Sequence, residues 1–531
     1  MNEFGEFYRE QSHEDLSSLI DRLNVEEDQL QKIDQKESKI MITRKHLRKT
    51  QNTLSFLLVA AYKEVMEDRE IAIVHSFGAG YFFRDKDIKF QLDEETVTKL
   101  QKKIQEYIDD EEKIEKTIIK RTQLVEIFKK NNWKHKLGIL NTWRVEYVPV
   151  LKFKHHLDYI IEPITPKKNL ITAFDLKPFH GGIVLRFPTL GDPKMKKPFD
   201  DRPKLFELIK ERDVWADLLD IAYIDELNEQ IYTKKIDRLK WVAEGLHENK
   251  LRDIAGTITE SFPSRRIVTI AGPSSSGKTT FAKRLSIHFA VLGLKARTLS
   301  LDDYFVDRAD MVVDENGERD FEDISAVNLK LLVKRLKDLL DGEEIPERHF
   351  NFVKGIGMDN FEKMWSLGEK EILIIEGIHG LNPKFTGRVG DKNIWKIYVS
   401  ALTQLNIDIH HRISTSDCRL LRRIIRDYQF RGWNPKETLK MWGNVRKGEE
   451  KNIFPYQELT DFTFNTSLVY ELPVISIYVR QLLAQVKGDK ELRVEAARLM
   501  KFLSFFFLLS PERVPGISIL REFIGKSDFR Y

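Results

Sequence analysis

Between Arg266 and Thr280 the chain reads Arg-Ile-Val-Thr-Ile-Ala-Gly-Pro-Ser-Ser-Ser-Gly-Lys-Thr-Thr, a stretch that leaves few ways to fold. Ile267 to Ile270 is a short apolar run with β-branched residues, as in a buried strand. Gly272 and Gly277 bracket four residues and precede Lys278 and Thr279, which is the spacing G-x-x-x-x-G-K-[ST] of a phosphate-binding loop. The pattern predicts strand, loop and helix in succession. Backbone N–H groups would turn inward and form an anion nest at the positive end of the helix. The two glycines permit backbone angles and close approach that a Cβ would block. The predicted cradle is Gly272, Pro273, Ser274, Ser275, Ser276, Gly277, Lys278, Thr279 and Thr280. Lys278 would reach the β- and γ-phosphates of ATP, and the Thr279 hydroxyl would sit on Mg²⁺. A helix over Phe281 to Leu292 is expected to follow.

A chain of 531 residues suggests about three domains. Its 41% apolar content is enough to bury cores, and its 32% charged content is mostly interleaved Lys and Glu, the habit of solvated helix faces. A net charge of +4 gives no global argument for nucleic acid. The single cysteine, Cys418, excludes an intrachain disulfide framework and a cysteine-based zinc cluster. Met1 to Glu10 is polar and acidic and carries no apolar signal region. The most apolar run, Phe502 to Leu509, is too short to span a bilayer. These features predict a soluble, cytoplasmic protein with no membrane partner.

The periodicities predict five parts: a helical segment over 1–50, an α+β domain over 51–200, a helical connector over 201–260, an α/β domain with a parallel sheet over 261–470, and a helical cap over 471–531. Within the second part, Thr53 to Glu67 has the apolar spacing of a core helix. Ile71 to Phe83 reads as strand and turn, broken by Gly78 and Gly80. Asp93 to Lys130 reads as one long charged helix, and Val145 to Ile164 and Ile171 to Phe187 as strands.

In broad pattern, Gln51 to Pro188 resembles the second additional domain of threonyl-tRNA synthetase. That domain is marked by H-x-x-x-H and a later C-x-x-x-H. Here the four positions fall on Asn52, Phe56, Ile160 and Ile164, and none keeps a His or Cys. Phe and Ile neither ligate a metal nor move a proton, so the resemblance implies a fold without its hydrolytic site. His155, His156 and His180 lack helical metal-ligand spacing and read as surface or core residues.

Downstream of the loop, Arg297 to Leu301 predicts a second strand ending in Asp302 and Asp303. A carboxylate at a strand's carboxyl end lines the ligand crevice of a doubly wound sheet and can accept the proton of an attacking hydroxyl. Either acid could instead cap a helix or close a turn. Ala326 to Leu340 reads as a helix. Glu344 to Phe352 reads as a loop whose Phe350 and Phe352 either stack on a planar base or pack in the core. Glu371 to Ile375 is a buried strand delivering Glu376, an oxygen ligand suited to Mg²⁺, and Trp395 to Leu402 is a further strand. From Arg419 to Arg431 the arginines recur at helical spacing. Such a helix is a solvated face, an RNA contact, or a lid that closes on phosphates and excludes water.

This ordered set resembles the uridine–cytidine kinase and phosphoribulokinase family over about Ile267 to Asn465. It has Asp302-Asp303-Tyr304-Phe305 where the family has D-S-F-Y, and Glu376-Gly377-Ile378 where it has E-G-I. The whole chain resembles the longer bacterial nucleoside kinases with a synthetase-like domain in front. The resemblance implies that Asp302 is general base on a ribose 5′-hydroxyl, with Lys278 on the phosphates and Thr279 and Glu376 on the magnesium side. It implies Arg423 near the nucleoside with Tyr304, Phe350 and Phe352, and Arg426 and Arg431 near the phosphates of ATP. Two family features are missing. The fourth lid arginine falls on Trp433, and Lys354-Gly355-Ile356-Gly357 supplies no histidine to read a pyrimidine edge. The expectation is an ATP-dependent nucleoside kinase. The alternatives are a kinase for another small alcohol such as a sugar phosphate, or a non-catalytic, ATP-switched RNA-binding regulator. No role is legible for Ala496 to Leu509 and Ile517 to Ile524.

Overall fold

The structure is a computed structural model and describes residues 44–311, 322–351 and 354–530. Phe352 and most of the segment over 1–50 therefore lie outside the described residues. The chain enters on helix α1 (Arg44–Met66). Leu54, Leu57, Leu58 and Ala61 recur on one face and are buried. They pack on a sheet of β1 (Ile71–Phe77), β2 (Gly80–Asp85), β6 (Asp175–Phe179) and β7 (Gly182–Arg186), in the order β1-β2-β7-β6 and antiparallel throughout. A second antiparallel sheet joins β3 (Glu115–Lys120), β4 (Tyr147–Phe153) and β5 (His156–Tyr159). This is the expected α+β architecture.

One boundary differs from the expectation. Asp93 to Lys130 is not a single helix but α2 (Glu94–Asp109), then β3, then α3 (Arg121–Lys130). Asp93 caps α2 by accepting the Thr96 N–H at 2.8 Å. Beyond Asp109, Thr117, Ile118 and Ile119 pair in turn with Val150, Pro149 and Val148 of β4, and this cross-strand pairing overrides the helical charge pattern. Helix α4 (Lys134–Thr142) follows.

Three helices occupy the connector: α5 (Pro203–Leu219), α6 (Ile224–Tyr232) and α7 (Ile236–Glu260). The last turns of α7 put Leu251, Ile254, Ala255 and Ile258 against Phe281, Leu285 and Phe289 of the next domain. That domain is built on a parallel sheet in the order β14-β13-β8-β12-β9, formed by β8 (Ile267–Ala271), β9 (Lys295–Ser300), β12 (Glu371–Glu376), β13 (Ile394–Ser400) and β14 (Phe462–Asn465). Strand β8 is buried along its whole length, as is β12 up to Ile375, which is why both read as continuous apolar runs. Register sets Glu376 opposite Ile270 on one side and Ser300 on the other. The carboxyl ends of β8, β12 and β9 therefore lie side by side.

Helix α8 (Lys278–Val291) follows the glycine-bounded loop, and α9 (Leu329–Leu340) starts at Asn328, which caps it. The expected loop over Glu344 to Phe352 is instead largely strand. β10 (Ile345–Asn351) pairs antiparallel with β11 (Ile356–Trp365) in a hairpin beside the sheet. Helices α10 (Pro383–Val389), α11 (Thr415–Phe430), α12 (Pro435–Asn452), α13 (Glu471–Ala484), α14 (Lys490–Leu503) and α15 (Arg521–Ile524) complete the chain. One apolar cluster runs from Leu140 and Val150 through Ile224, Leu420 and Ile424 to Val474 and Leu503. The C-terminal helices thus wedge between the two halves instead of capping one of them. Among the described residues no helix is long and apolar enough to cross a membrane.

Candidate active site

The loop after β8 is shaped by its glycines. Gly277 has φ +84° and starts α8, and a Cβ on Gly272 would meet the Val399 carbonyl oxygen at 2.1 Å. A side chain at Gly272 would therefore push the loop off β13. Ser275 also takes a left-handed φ, +58°. The Lys278 ammonium folds back on its own loop, 2.9 Å from the Gly272 oxygen and 3.3 Å from that of Pro273. The Thr279 hydroxyl lies 3.4 Å from each oxygen of Glu376.

Glu376 and Asp302 reach this point from the ends of β12 and β9. Asp302 sits in a tight turn over Leu301–Tyr304, where its N–H bonds the Ser300 hydroxyl at 3.3 Å. Asp302 is exposed at the surface of the domain. Crowding by protein pushes the Asp302 carboxyl up, opposed by the Lys278 charge and reinforced by Asp303. Glu376 is pushed up to about 7, first by burial, against Lys278, with Asp302 and Glu522 adding to the rise. Burial pulls the Lys278 ammonium down, while the charges of Glu376 and Asp302 hold it up. The three groups thus share one field, with a cation between two acids. Asp303 is engaged structurally: it accepts the Phe350 N–H at 3.2 Å and pairs with His349 at 3.0 Å.

Helix α11 lies over the loop, but its arginines divide by turn. Arg419 and Arg422 are buried and bond the loop from behind, Arg419 at 2.9 Å from the Ser274 oxygen and Arg422 at 3.4 Å from that of Ser275. Arg422 also pairs with Glu471 of α13. Arg423 donates to the Ser274 hydroxyl at 2.8 Å and pairs with Asp427 at 3.0 Å. Arg426 and Arg431 converge on the same buried Asp427, at 3.1 and 3.5 Å. Arg431 is pulled down to about 10 by burial and the neighbouring arginines, and its charge reaches Asp302. Neither reading of a freely solvated helix nor of one moving as a whole fits the inner turns, since Asp417 to Ile425 are core.

Two predicted substrate contacts sit elsewhere than expected. Tyr304 is 2% exposed, with its ring between Arg335 and Arg348, each 5.8 Å away. Phe350 is 0% exposed and meets Phe305 edge-on at 5.6 Å. Both are core residues under the turn that carries Asp302, because β10 directs Phe350 inward where a loop would have left it free. They support Asp302 and present no face to a ligand here.

Residues 267–470 match the model of the phosphoribulokinase / uridine kinase family. A uridine kinase of Ligilactobacillus salivarius is 32% identical over 182 residues, which is 34% of this chain and 75% of the relative. The chain belongs to this family of kinases. A uridine kinase of Staphylococcus haemolyticus is 29% identical over 184 residues, 34% of this chain and 77% of the relative. A solved structure from Bacillus stearothermophilus, described as a possible uridine kinase, has 19% identity and a TM-score of 0.24 over 28% of this chain and 79% of its own.

Around the loop of this kinase-family domain, sequence reasoning missed two acids, one of them from the C-terminal α15. Glu322 lies beside Gly448, whose Cβ would stand 2.7 Å from that of Glu322. Burial and the Glu449 charge push it up to about 7, while Arg423 and Lys278 oppose the rise. Glu522 arrives from α15 and accepts from the Thr280 N–H at 3.1 Å and its hydroxyl at 2.6 Å. Neither acid sits in a motif, and Glu522 lies more than two hundred residues from its partner. Only the three-dimensional path of the chain makes them neighbours of Lys278.

The N-terminal half carries its own polar constellation. Asn52, Phe56, Ile160 and Ile164 all line one cavity, together with His410 and Arg412 of the kinase-family domain. Asn52 donates to the Pro163 oxygen at 2.8 Å. His156, Asp158 and His410 gather beside it. The buried Lys136 ammonium lies 2.6 and 2.7 Å from the two Asp158 oxygens and 3.7 Å from Asp408. That ammonium already neutralises the carboxylate, so the cluster works as an ionic joint between the halves. Burial pushes His156 down to about 3, which keeps its ring neutral among Phe56 and His410.

Proposed function

We propose that the chain is an ATP-dependent nucleoside kinase that transfers the γ-phosphate of ATP to a nucleoside 5′-hydroxyl. The observation that carries this is the meeting of Lys278, Asp302 and Glu376 at the carboxyl ends of three adjacent parallel strands. The site suits an anion, because carboxylates already occupy two N–H groups of the loop region: Glu449 accepts from Ser274 at 3.0 Å, and Glu522 from Thr280. It suits Mg²⁺, because the Thr279 hydroxyl and the Glu376 carboxylate are hard oxygen donors that approach each other without closing a strong hydrogen bond. The bound nucleotide would supply the phosphoryl group, and the metal would neutralise its charge. The protein's own share is positioning and proton transfer. Lys278 would leave its loop carbonyls for phosphate oxygens, Asp302 would take the acceptor's hydroxyl proton, and Arg426 and Arg431 would balance charge at the mouth.

A nucleoside acceptor is supported by the relatives named uridine kinase. The burial of Phe350 withdraws one stacking surface and keeps a second reading open, a small sugar-type alcohol as acceptor. One panel separates them: ADP release from ATP in the presence of each nucleoside and of free and phosphorylated sugars. Nucleoside-stimulated turnover with silent sugars supports the first reading. Stimulation by sugars alone replaces it. No acceptor-dependent turnover, with tRNA binding that falls steeply with salt, would favour an RNA-binding regulator.

A further inference from the structure

We propose that Glu522 is a built-in competitor of the nucleotide, whose carboxylate holds an anion seat at the start of α8 and must swing away before a triphosphate can settle there. The proposal rests on reading the loop as a triphosphate site. Thr280 is the third residue of α8, so its N–H is one of the four that the helix cannot satisfy internally. Such N–H groups, at the positive end of the helix, attract a carboxylate or a phosphate alike. In a loop of this spacing they cradle the nucleotide's phosphates. Glu522 takes both the N–H and the hydroxyl of Thr280, at 3.1 and 2.6 Å. A phosphate arriving at that N–H meets an occupied donor and a like charge.

The comparison with Glu449 shows why Glu522 is the one that can leave. Glu449 also accepts a loop N–H, but it is fully buried and held by Arg419 and by Arg446 at 3.0 Å. Glu522 is half-buried, and no lysine or arginine among the described residues pairs with it. The backbone around it is anchored. Ile519, Leu520 and Phe523 are 0% exposed, and Arg521 bonds the oxygens of Pro511 at 2.9 Å and Val514 at 3.2 Å. Ile519 also abuts the loop, since a Cβ on Gly277 would lie 2.7 Å from its Cγ2. The C-terminal segment therefore stays in place and delivers a carboxylate whose own torsions are the only moving part.

The test uses the full-length chain and two probes, ATP and inorganic tripolyphosphate, titrated calorimetrically without acceptor. Glu522→Gln keeps the shape and removes the charge. Both probes should bind about tenfold tighter or more, since a like charge facing the ligand is gone. Glu522→Asp keeps the charge but draws it back by one methylene, and should tighten both by less. If the Gln variant does not fold, the Asp variant decides. Equal or weaker binding of both probes in the folded variants, with a lowered Tm, would overturn the proposal and leave Glu522 as a helix cap. If neither probe binds the wild-type chain or the variants, the triphosphate reading of the loop falls first and the competitor with it.

Discussion

At the scale of single residues, Asp302 and Glu376 carry separable consequences. Asp302→Asn keeps size and removes the proton acceptor, so kcat should fall roughly a hundredfold or more while ATP still binds. A coupled ADP assay beside a thermal melt checks this, and unchanged turnover in a folded Asn variant would remove Asp302 as the base. Glu376 is held up near 7 by burial, so the free protein keeps its proton well above the ordinary carboxylate range. The folded state then binds more protons than the unfolded one between that range and about 7. This group's contribution to stability therefore falls as pH rises through the window. In the proposed role of Glu376, Mg²⁺ would have to displace the same proton. Its affinity should climb up to about tenfold per pH unit below 7 and level off above it, and Glu376→Gln should abolish the slope. Isothermal titrations from pH 5.5 to 8.5 read both.

At the scale of elements, legibility followed the range of the interactions. Strand β8, its loop and α8 were readable because one local rule dictates all three: apolar run, glycine spacing, lysine at the first helical turn. Asp302 and Glu376 were readable because parallel strands end where ligands bind. The hairpin of β10 and β11 was not, since nothing within Glu344 to Phe352 reveals the partner strand that turns Phe350 inward. The arginines of α11 were counted correctly from periodicity, but periodicity says nothing of which turn meets Glu471 and which meets solvent. That division predicts a split in phenotype. Arg422→Met strands Glu471 among buried groups and should cost about 3–5 kcal/mol of stability. Arg431→Ala, at the half-open end of the helix, should leave the Tm within about a degree or two and lower kcat. Denaturant melts and steady-state kinetics on the two variants distinguish them. A large loss of stability at Arg431, or none at Arg422, would reverse the assignment.

At the scale of the whole molecule, the expected border at residue 470 runs through a continuous core. Asp417, in the first turn of α11, is clamped by Arg48 of α1 and Arg498 of α14, each at 2.9 Å. Asn228 of α6 donates to the Phe505 oxygen at 2.7 Å, and Trp143 meets the Phe505 ring at 5.4 Å. A fragment of 261–470 would keep the loop, Asp302 and Glu376. It would lose the partner of Arg422, both clamps on Asp417 and the apolar cover of Leu420, Leu421 and Ile424. Each orphaned buried charge costs about 3–5 kcal/mol, against a net stability of about 5–15 kcal/mol for a whole domain. The fragment should therefore express as an aggregate or as a state without a cooperative melt, although the relatives named above align over only 182 and 184 residues of this chain. Because Arg419 and Arg422 hold the loop within two turns of the clamped Asp417 on the same helix, loosening the clamps alone should also reach the site. Arg498→Ala in the full chain should lower the Tm and weaken ATP binding together. A fragment that melts cooperatively near the full-length Tm and binds ATP equally well would show that the kinase-family half stands alone and that the surrounding helices only decorate it.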